Sequence, residues 1–295
     1  MGLKAINFAV VALSLCAIDA TALDKEPESV SSPMIFSSGF ESGTLVDQQG
    51  WVREGNMPTV SSAGEPVREG RYAMRAYLNR LTSSTSYRTE IRPIVPVPRI
   101  NEEYWYGFST YVPAPFRADT QWELIAQWHD TPDSGEEWRN PILALYMSGD
   151  EYQWTSRWDD KAITPKDASG NFIYGGTNRW RVGSISATAG QWQDWVVRIK
   201  WRWVNDQSGI LQIWKNGELV VNHNGPNTFN DERGRYFKFG IYKGWRDRYE
   251  PTGNVSERLY YFDSFRMAGP GGSYAMVAPG GATARPQAPA ALSVQ

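Results

Sequence analysis

The sequence predicts an all-β fold, with two sheets packed as a sandwich or jelly roll. Three observations carry this. Short runs alternate apolar and polar residues with period two, turn residues separate them, and no long segment has helical periodicity. Strands are expected near residues 34–40, 71–79, 86–93, 104–112, 121–129, 141–148, 151–158, 192–204, 209–215, 218–223, 236–244 and 257–267. Asn216-Gly217 is the strongest hairpin signal, because both residues tolerate the positive φ of a two-residue turn. Many short strands at this spacing are the pattern of a double-sheet architecture.

In chain order, Lys4 precedes an apolar run from Ala5 to Ala17, and Ala20-Thr21-Ala22 is an A-x-A cleavage site. Residues 1–22 are therefore expected to be a signal peptide, and the protein secreted or periplasmic. The sole cysteine, Cys16, lies in that segment, so the mature chain needs no disulfides. Residues 23–32 are polar and are expected to be a linker. Residues 33–268 form the expected β domain. Residues 159–190 hold few apolar positions and are expected to be loops. Residues 269–295 are rich in Gly, Pro and Ala and are expected to be a disordered tail.

Three strands share one design. In 236–245, Phe237, Phe239 and Ile241 form an apolar face, while Tyr236, Lys238, Gly240 and Tyr242 face the other way. In 121–129, Trp122, Leu124, Ala126 and Trp128 form the apolar face, opposite Glu123, Ile125, Gln127 and His129. In 87–92, Arg88, Glu90 and Arg92 alternate with Tyr87, Thr89 and Ile91, and Glu90 is expected to hold the two arginines as an ion pair. Together they suggest one sheet whose open, concave face is a binding groove. Strand 192–204 also alternates, with Arg198, Lys200 and Arg202 opposite a tryptophan-rich face. Charges on the wet face of an antiparallel sheet are ordinary, so a solvated outer strand is preferred there to an anion-binding strip.

A net charge of −2 argues against nucleic-acid binding by bulk electrostatics, and no run after the leader is long enough to span a membrane. The 14 tryptophans tilt the reading towards a glycan, since indole faces serve as sugar platforms. Of the two histidines, His223 sits in a turn-like context and is expected at the surface, whereas His129 shares a face with Gln127. Zinc is disfavoured, because the mature chain offers no cysteine and no second histidine near His129. Glycoside hydrolysis needs a spaced carboxyl pair on one face, which no strand shows. The inventory suits β-elimination on a uronic acid. Arg88 and Gln127 would neutralise the carboxylate, and His129 and Tyr242 would act as the acid–base pair, with Lys238 assisting.

Arg88-Thr-Glu-Ile-Arg92 resembles the Arg-(Ser/Thr)-Glu-(Leu/Val/Ile)-Arg motif of jelly-roll alginate lyases. Gln127-Trp128-His129 stands where they carry Gln-(Ile/Val)-His, and Tyr236 to Lys243 is similar to their Tyr-Phe-Lys-x-Gly-x-Tyr. The chain order matches. Lys243-Gly-Trp245 and Leu259 to Arg266 look more like the heparin lyase I and glucuronan lyase relatives of that clan. The resemblance covers about residues 34–268 and implies a concanavalin A-like jelly roll. By resemblance, Arg88, Gln127, His129 and Tyr242 are catalytic and Lys238 is substrate-binding; Arg92, Tyr236 and Trp128 are grouped with Lys238. Trp128, in place of an aliphatic residue, and Lys243-Gly244 depart from the alginate pattern and bear on the substrate more than on the reaction. The expectation is a secreted, monomeric lyase that cleaves a 1,4-linked uronate polysaccharide by β-elimination to 4,5-unsaturated products. Glucuronan or alginate comes first, and heparin-like glycans second. No cofactor is required, and a structural calcium is compatible. The rivals are a non-catalytic lectin-like module for acidic glycans and, third, a glycoside hydrolase.

Overall fold

The computed structural model describes residues 32–45, 50–83, 87–245 and 253–281. Two antiparallel sheets face each other. The back sheet runs β13 (Glu218–Asn224), β12 (Ile210–Lys215), β11 (Trp192–Lys200), β6 (Glu103–Tyr111), β15 (Glu257–Ala268), β4 (Met74–Asn79) and β3 (Thr59–Val60), with β1 (Met34–Ser38) also paired to β15. The front sheet runs β10 (Gly176–Ser184), β9 (Glu151–Trp158), β8 (Leu143–Gly149), β7 (Asp119–Asp130), β14 (Arg235–Lys243), β5 (Arg88–Pro93) and β2 (Trp51–Gly55). This is the jelly roll that the alternation predicts. Among the described residues, no helix is long and apolar enough to cross a membrane.

Rings fill the space between the sheets. Phe237 of β14 and Phe265 of β15 stack with centroids 5.0 Å apart, and Trp154 of β9 meets Trp195 of β11 edge-on at 5.7 Å. Such pairs add directional preference to burial, which fixes how the sheets seat on each other. The Asn216-Gly217 hairpin forms as expected, with φ of 51° and 85°. The strip on β11 is solvated and paired: Arg198 bonds Glu103 at 2.7 Å and Gln212 at 3.0 Å, while Arg202, beyond the strand end, bonds Asp206.

Two expectations need correction. Residues 159–190 are not all loop, because β10 pairs with β9 as an edge strand. Its sequence alternates Arg179, Trp180, Arg181 and Val182, but an edge strand with one wet face buries too little to stand out. The tail does not lose order at residue 269. Helix α1 (Tyr274–Val277) follows, with Tyr274 and Val277 buried against Trp105 and Trp214 on the outside of the back sheet. Tyr274 meets Trp214 edge-on at 5.4 Å. Gly107 of β6 leaves room for this packing, since a Cβ there would fall 1.8 Å from the Val277 carbonyl oxygen. The expected signal peptide, most of the expected linker and residues 282–295 lie outside the described residues.

Tyr274→Ala is expected to cost about 3 kcal/mol in denaturant unfolding, as for a buried ring truncated in a core. An unchanged midpoint would show that the helix contributes nothing to the fold.

Candidate active site

The outer face of the front sheet is a groove of about 540 Å³ lined by Arg88, Gln127, His129, Lys238 and Tyr242 among others. Strand register brings these five together. Arg88 on β5 lies opposite Tyr242 on β14, and on β7 Gln127 lies opposite Lys238 and His129 opposite Tyr236. Arg92 and Tyr236 fall on the same face but line an adjoining pocket of about 380 Å³ with Glu54, Trp138 and Arg233.

Simple alternation fails in β7. Its register against β8 shifts between Leu124 and Ala126, so β7 carries an extra residue there. Ile125 and Ala126 both turn into the core, and the facing of the strand inverts on either side. Trp122 and Leu124, expected on the buried face, line the groove with Gln127 and His129. Glu123, expected beside them, points inward to Arg258, Lys243 and Tyr260. Gly240 accommodates the matching irregularity in β14. Its φ is 137°, and a Cβ there would sit 2.1 Å from the Thr89 carbonyl oxygen. What approaches this glycine is the neighbouring strand.

Trp128 does not belong to the site. It is fully buried and packs on Phe237 at 4.7 Å, Tyr106 at 5.1 Å and Trp154 at 5.9 Å. Lying between two groove residues on a strand, it must point the other way. The exposed indoles are Trp122, edge-on to Tyr242 at 5.2 Å, and Trp138, 5.5 Å from the His129 ring.

Charge in the groove is organised by Glu54, which the sequence reading passed over because it placed no strand at 51–55. Glu54 accepts from Lys238 at 2.8 Å and Arg88 at 3.2 Å, and its other oxygen is 3.6 Å from Arg92. Burial pushes its carboxyl up, but these three cations together hold it below the usual range. Glu90 therefore does not pair with the two arginines. It is buried, accepts from Gln127 Nε2 at 2.5 Å and lies 3.7 Å from Lys238 Nζ, and burial pushes its carboxyl up. This contact orients the Gln127 amide.

His129 is half-buried, with its ring stacked on Tyr236 at 5.9 Å. Its Nδ1 lies 2.9 Å from the Asp130 backbone oxygen and 3.4 Å from Asp130 Oδ1. A carbonyl only accepts, so Nδ1 carries the proton and Nε2 is the basic atom of the neutral ring. Asp130 is buried and bonded by Arg139 at 2.7 Å. Burial opposes its charge, but His129, Asp231 and Arg139 hold it well below the usual range, while burial and the neighbouring Asp130 and Glu136 push Asp231 far up. Burial also pushes the Tyr236 phenol up, so Tyr236 remains a donor. Among the described residues, oxygens of Asp133, Glu136 and Asp231 lie within 4.8 Å of one another, a spacing open to a cation, though Arg139 already bonds two of the three. His223 is half-buried beside Trp180, away from the groove residues.

The far wall of the groove, where Tyr146, Gln153, Thr155, Arg157 and Arg179 project from β8, β9 and β10, is not among the sites expected from the sequence. Their strands were visible, β10 excepted, but no motif marked them.

The jelly roll thus brings a histidine, a tyrosine and an amide together with several cations in one open groove, a set of proton carriers and hydrogen-bond donors suited to acid–base catalysis. The family model for polysaccharide lyases matches residues 40–266, and the chain belongs to that polysaccharide lyase family. Among solved structures it is similar to the endo-β-1,4-glucuronan lyase of the fungus Trichoderma reesei, with a TM-score of 0.63 and 23% identity over 81% of this chain and 97% of that one. More distant likenesses are a polysaccharide lyase family 7 alginate lyase (TM-score 0.44, 11% identity, 74% and 84% covered) and the binding domain of botulinum neurotoxin serotype D/C (0.49, 12%, 80% and 48%). No curated protein gives a significant sequence match.

Glu54→Gln keeps the shape but drops the charge that positions Arg88 and Lys238, and is expected to lower turnover about tenfold or more. The folded pKa of Glu54 lies below its ordinary 4.5, so its charge adds stability above that pH, which is lost as pH falls through the folded value. Melting curves taken between about pH 3 and pH 7 should therefore show a weaker acid loss in Glu54→Gln than in the unmutated protein. Equal acid loss together with full turnover would leave Glu54 without this role.

Proposed function

We propose that this polysaccharide lyase cleaves a 1,4-linked polyuronate, glucuronan or alginate before heparin-like glycans, by β-elimination to 4,5-unsaturated uronate ends. The observation that carries the reading is the shared groove of Arg88, Gln127, His129, Lys238 and Tyr242, with His129 Nδ1 held by a carbonyl. The C5 proton of a uronate is too weakly acidic to leave unaided. Arg88, Gln127 and Lys238 donate to the C6 carboxylate and stabilise the enolate that develops as the proton departs. A base takes that proton and an acid protonates O4 as the C4–O4 bond breaks. In glucuronate and mannuronate both groups lie on one side of the ring, and Tyr242 serves as base and then acid, with His129 polarising the site. In guluronate they lie on opposite sides, and His129 Nε2 is the base. The similarity to a glucuronan lyase supports glucuronan as the first polymer to try. Sulfated glycans rank lower because Glu54 already offsets Arg88 and Lys238 in the groove and Arg92 beside it. The elimination needs no redox cofactor. A polymer too large to enter a cell agrees with an exported enzyme.

Tyr242→Phe is expected to abolish product absorbance on glucuronan and mannuronate-rich alginate while substrate still binds. His129→Ala should cost most on guluronate blocks. Arg88→Ala should lower turnover about a hundredfold or more with a smaller effect on stability. Full activity in Tyr242→Phe would end this mechanism. If the unmutated protein makes no unsaturated product from any uronate polymer, the polyuronate reading fails.

A further inference from the structure

We propose that Arg157 and Arg179 form a second carboxylate subsite, which binds a uronate unit of the same polymer several residues away from the bond being cleaved. This rests on the polyuronate reading and extends it. Both arginines line the groove on its far wall, on β9 and β10. Thr155 pairs with Arg179, and Arg157 with Thr177, so the two arginines are diagonal neighbours on one face, about 7–8 Å apart at the backbone.

Among the cations that line the groove, their lack of acidic partners sets them apart. Arg88 and Arg92 share Glu54, Lys238 has Glu54 and Glu90, and Arg139 has Asp130, Glu136 and Asp231. Even Arg181, the next arginine along β10, is paired with Glu151 at 3.1 Å. Among the described residues, Arg157 and Arg179 have no ion-pair partner. Arg157 is nonetheless held in place. Its Nη1 donates to the Pro141 carbonyl at 2.9 Å and Nη2 lies 3.4 Å from the Tyr146 hydroxyl, with the guanidinium 6.0 Å from the rings of Tyr146 and Tyr174. A fixed guanidinium without a counter-charge is a preorganised anion site, because little side-chain entropy is lost when an anion arrives.

The order β5, β14, β7, β8, β9 puts four strand spacings between Arg88 and Arg157, about 19 Å at roughly 4.8 Å each. One sugar ring cannot touch both. A polymer laid across the strands, with Arg88 at the reacting unit, presents a later carboxylate to Arg157 and Arg179. The partner class is therefore a chain with repeated carboxylates, and a single uronate would not use this wall.

The test uses full-length protein carrying Tyr242→Phe, so that binding is read without turnover. Uronate oligosaccharides of increasing length, from the polymer that the unmutated enzyme degrades, are titrated by calorimetry against this protein and against the same protein with Arg157→Met and Arg179→Met. The expected result is a loss of about tenfold or more in affinity for long oligomers, less than twofold for the shortest, and a flatter salt dependence for the long ones. Arg157→Lys, which keeps the charge, should recover part of the loss. An equal loss at every length would mark the arginines as structural and overturn the subsite, as would no loss at any length. Either result leaves the polyuronate reading standing if the unmutated enzyme yields unsaturated product. Absence of that product from every uronate polymer sinks both.

Discussion

The extra residue in β7 is the constraint on which the site depends. A regular strand would put Glu123 in the groove with Gln127 and His129, and would bury Trp122. The bulge instead sends Glu123 inward, where Arg258 binds it through two nitrogens, at 2.6 and 2.8 Å, and Lys243 lies 3.2 Å away. Lys243 also bonds Asp119 at 2.7 Å, so this end of the sandwich is closed by buried ion pairs. Breaking one partner of such a set is far more costly than never having built it. The composition of the groove and the closure of the core therefore come from one local irregularity.

The groove is cationic by residue count but largely compensated in place. Glu54 touches three cations, and Glu90 sits on the floor beneath Lys238. On the proposed function, a substrate carboxylate entering near Arg88 would meet donors that Glu54 already holds in place. The cost of ordering those long side chains has been met during folding. The arrangement also favours one carboxylate at a fixed place over diffuse attraction to any polyanion.

Much of this was legible in the chain. Alternation in 236–243 and 88–92 assigned Arg88, Lys238 and Tyr242 to one face, because both strands keep a strict period of two there. It misassigned Trp122 and Glu123, since nothing in Gln121 to His129 marks where a residue is inserted. Trp128 was drawn towards the site by its chemistry, although its parity already put it in the core. Glu54 was invisible because Trp51 to Gly55 is short and its role lies in contacts to β5 and β14, distant in sequence. Arg157 and Arg179 lie on the groove wall across from the three motifs and matched no pattern. The helix at 274–277 hid in a Gly- and Pro-rich stretch, where its four residues could not establish a period.

That helix also shapes how the surface adheres to its surroundings. Trp105 and Trp214 lie on the outer side of the back sheet and stack at 5.9 Å, and they would form a broad indole patch if Tyr274 and Val277 did not cover them. With the cover in place, the indoles most open to solvent among the described residues are Trp122 and Trp138, each beside a groove residue. Among the described residues, the exposed indoles are thus confined to the groove side. Sugar rings that stack on indoles would therefore find such a platform beside the reacting groups and not on the covered back.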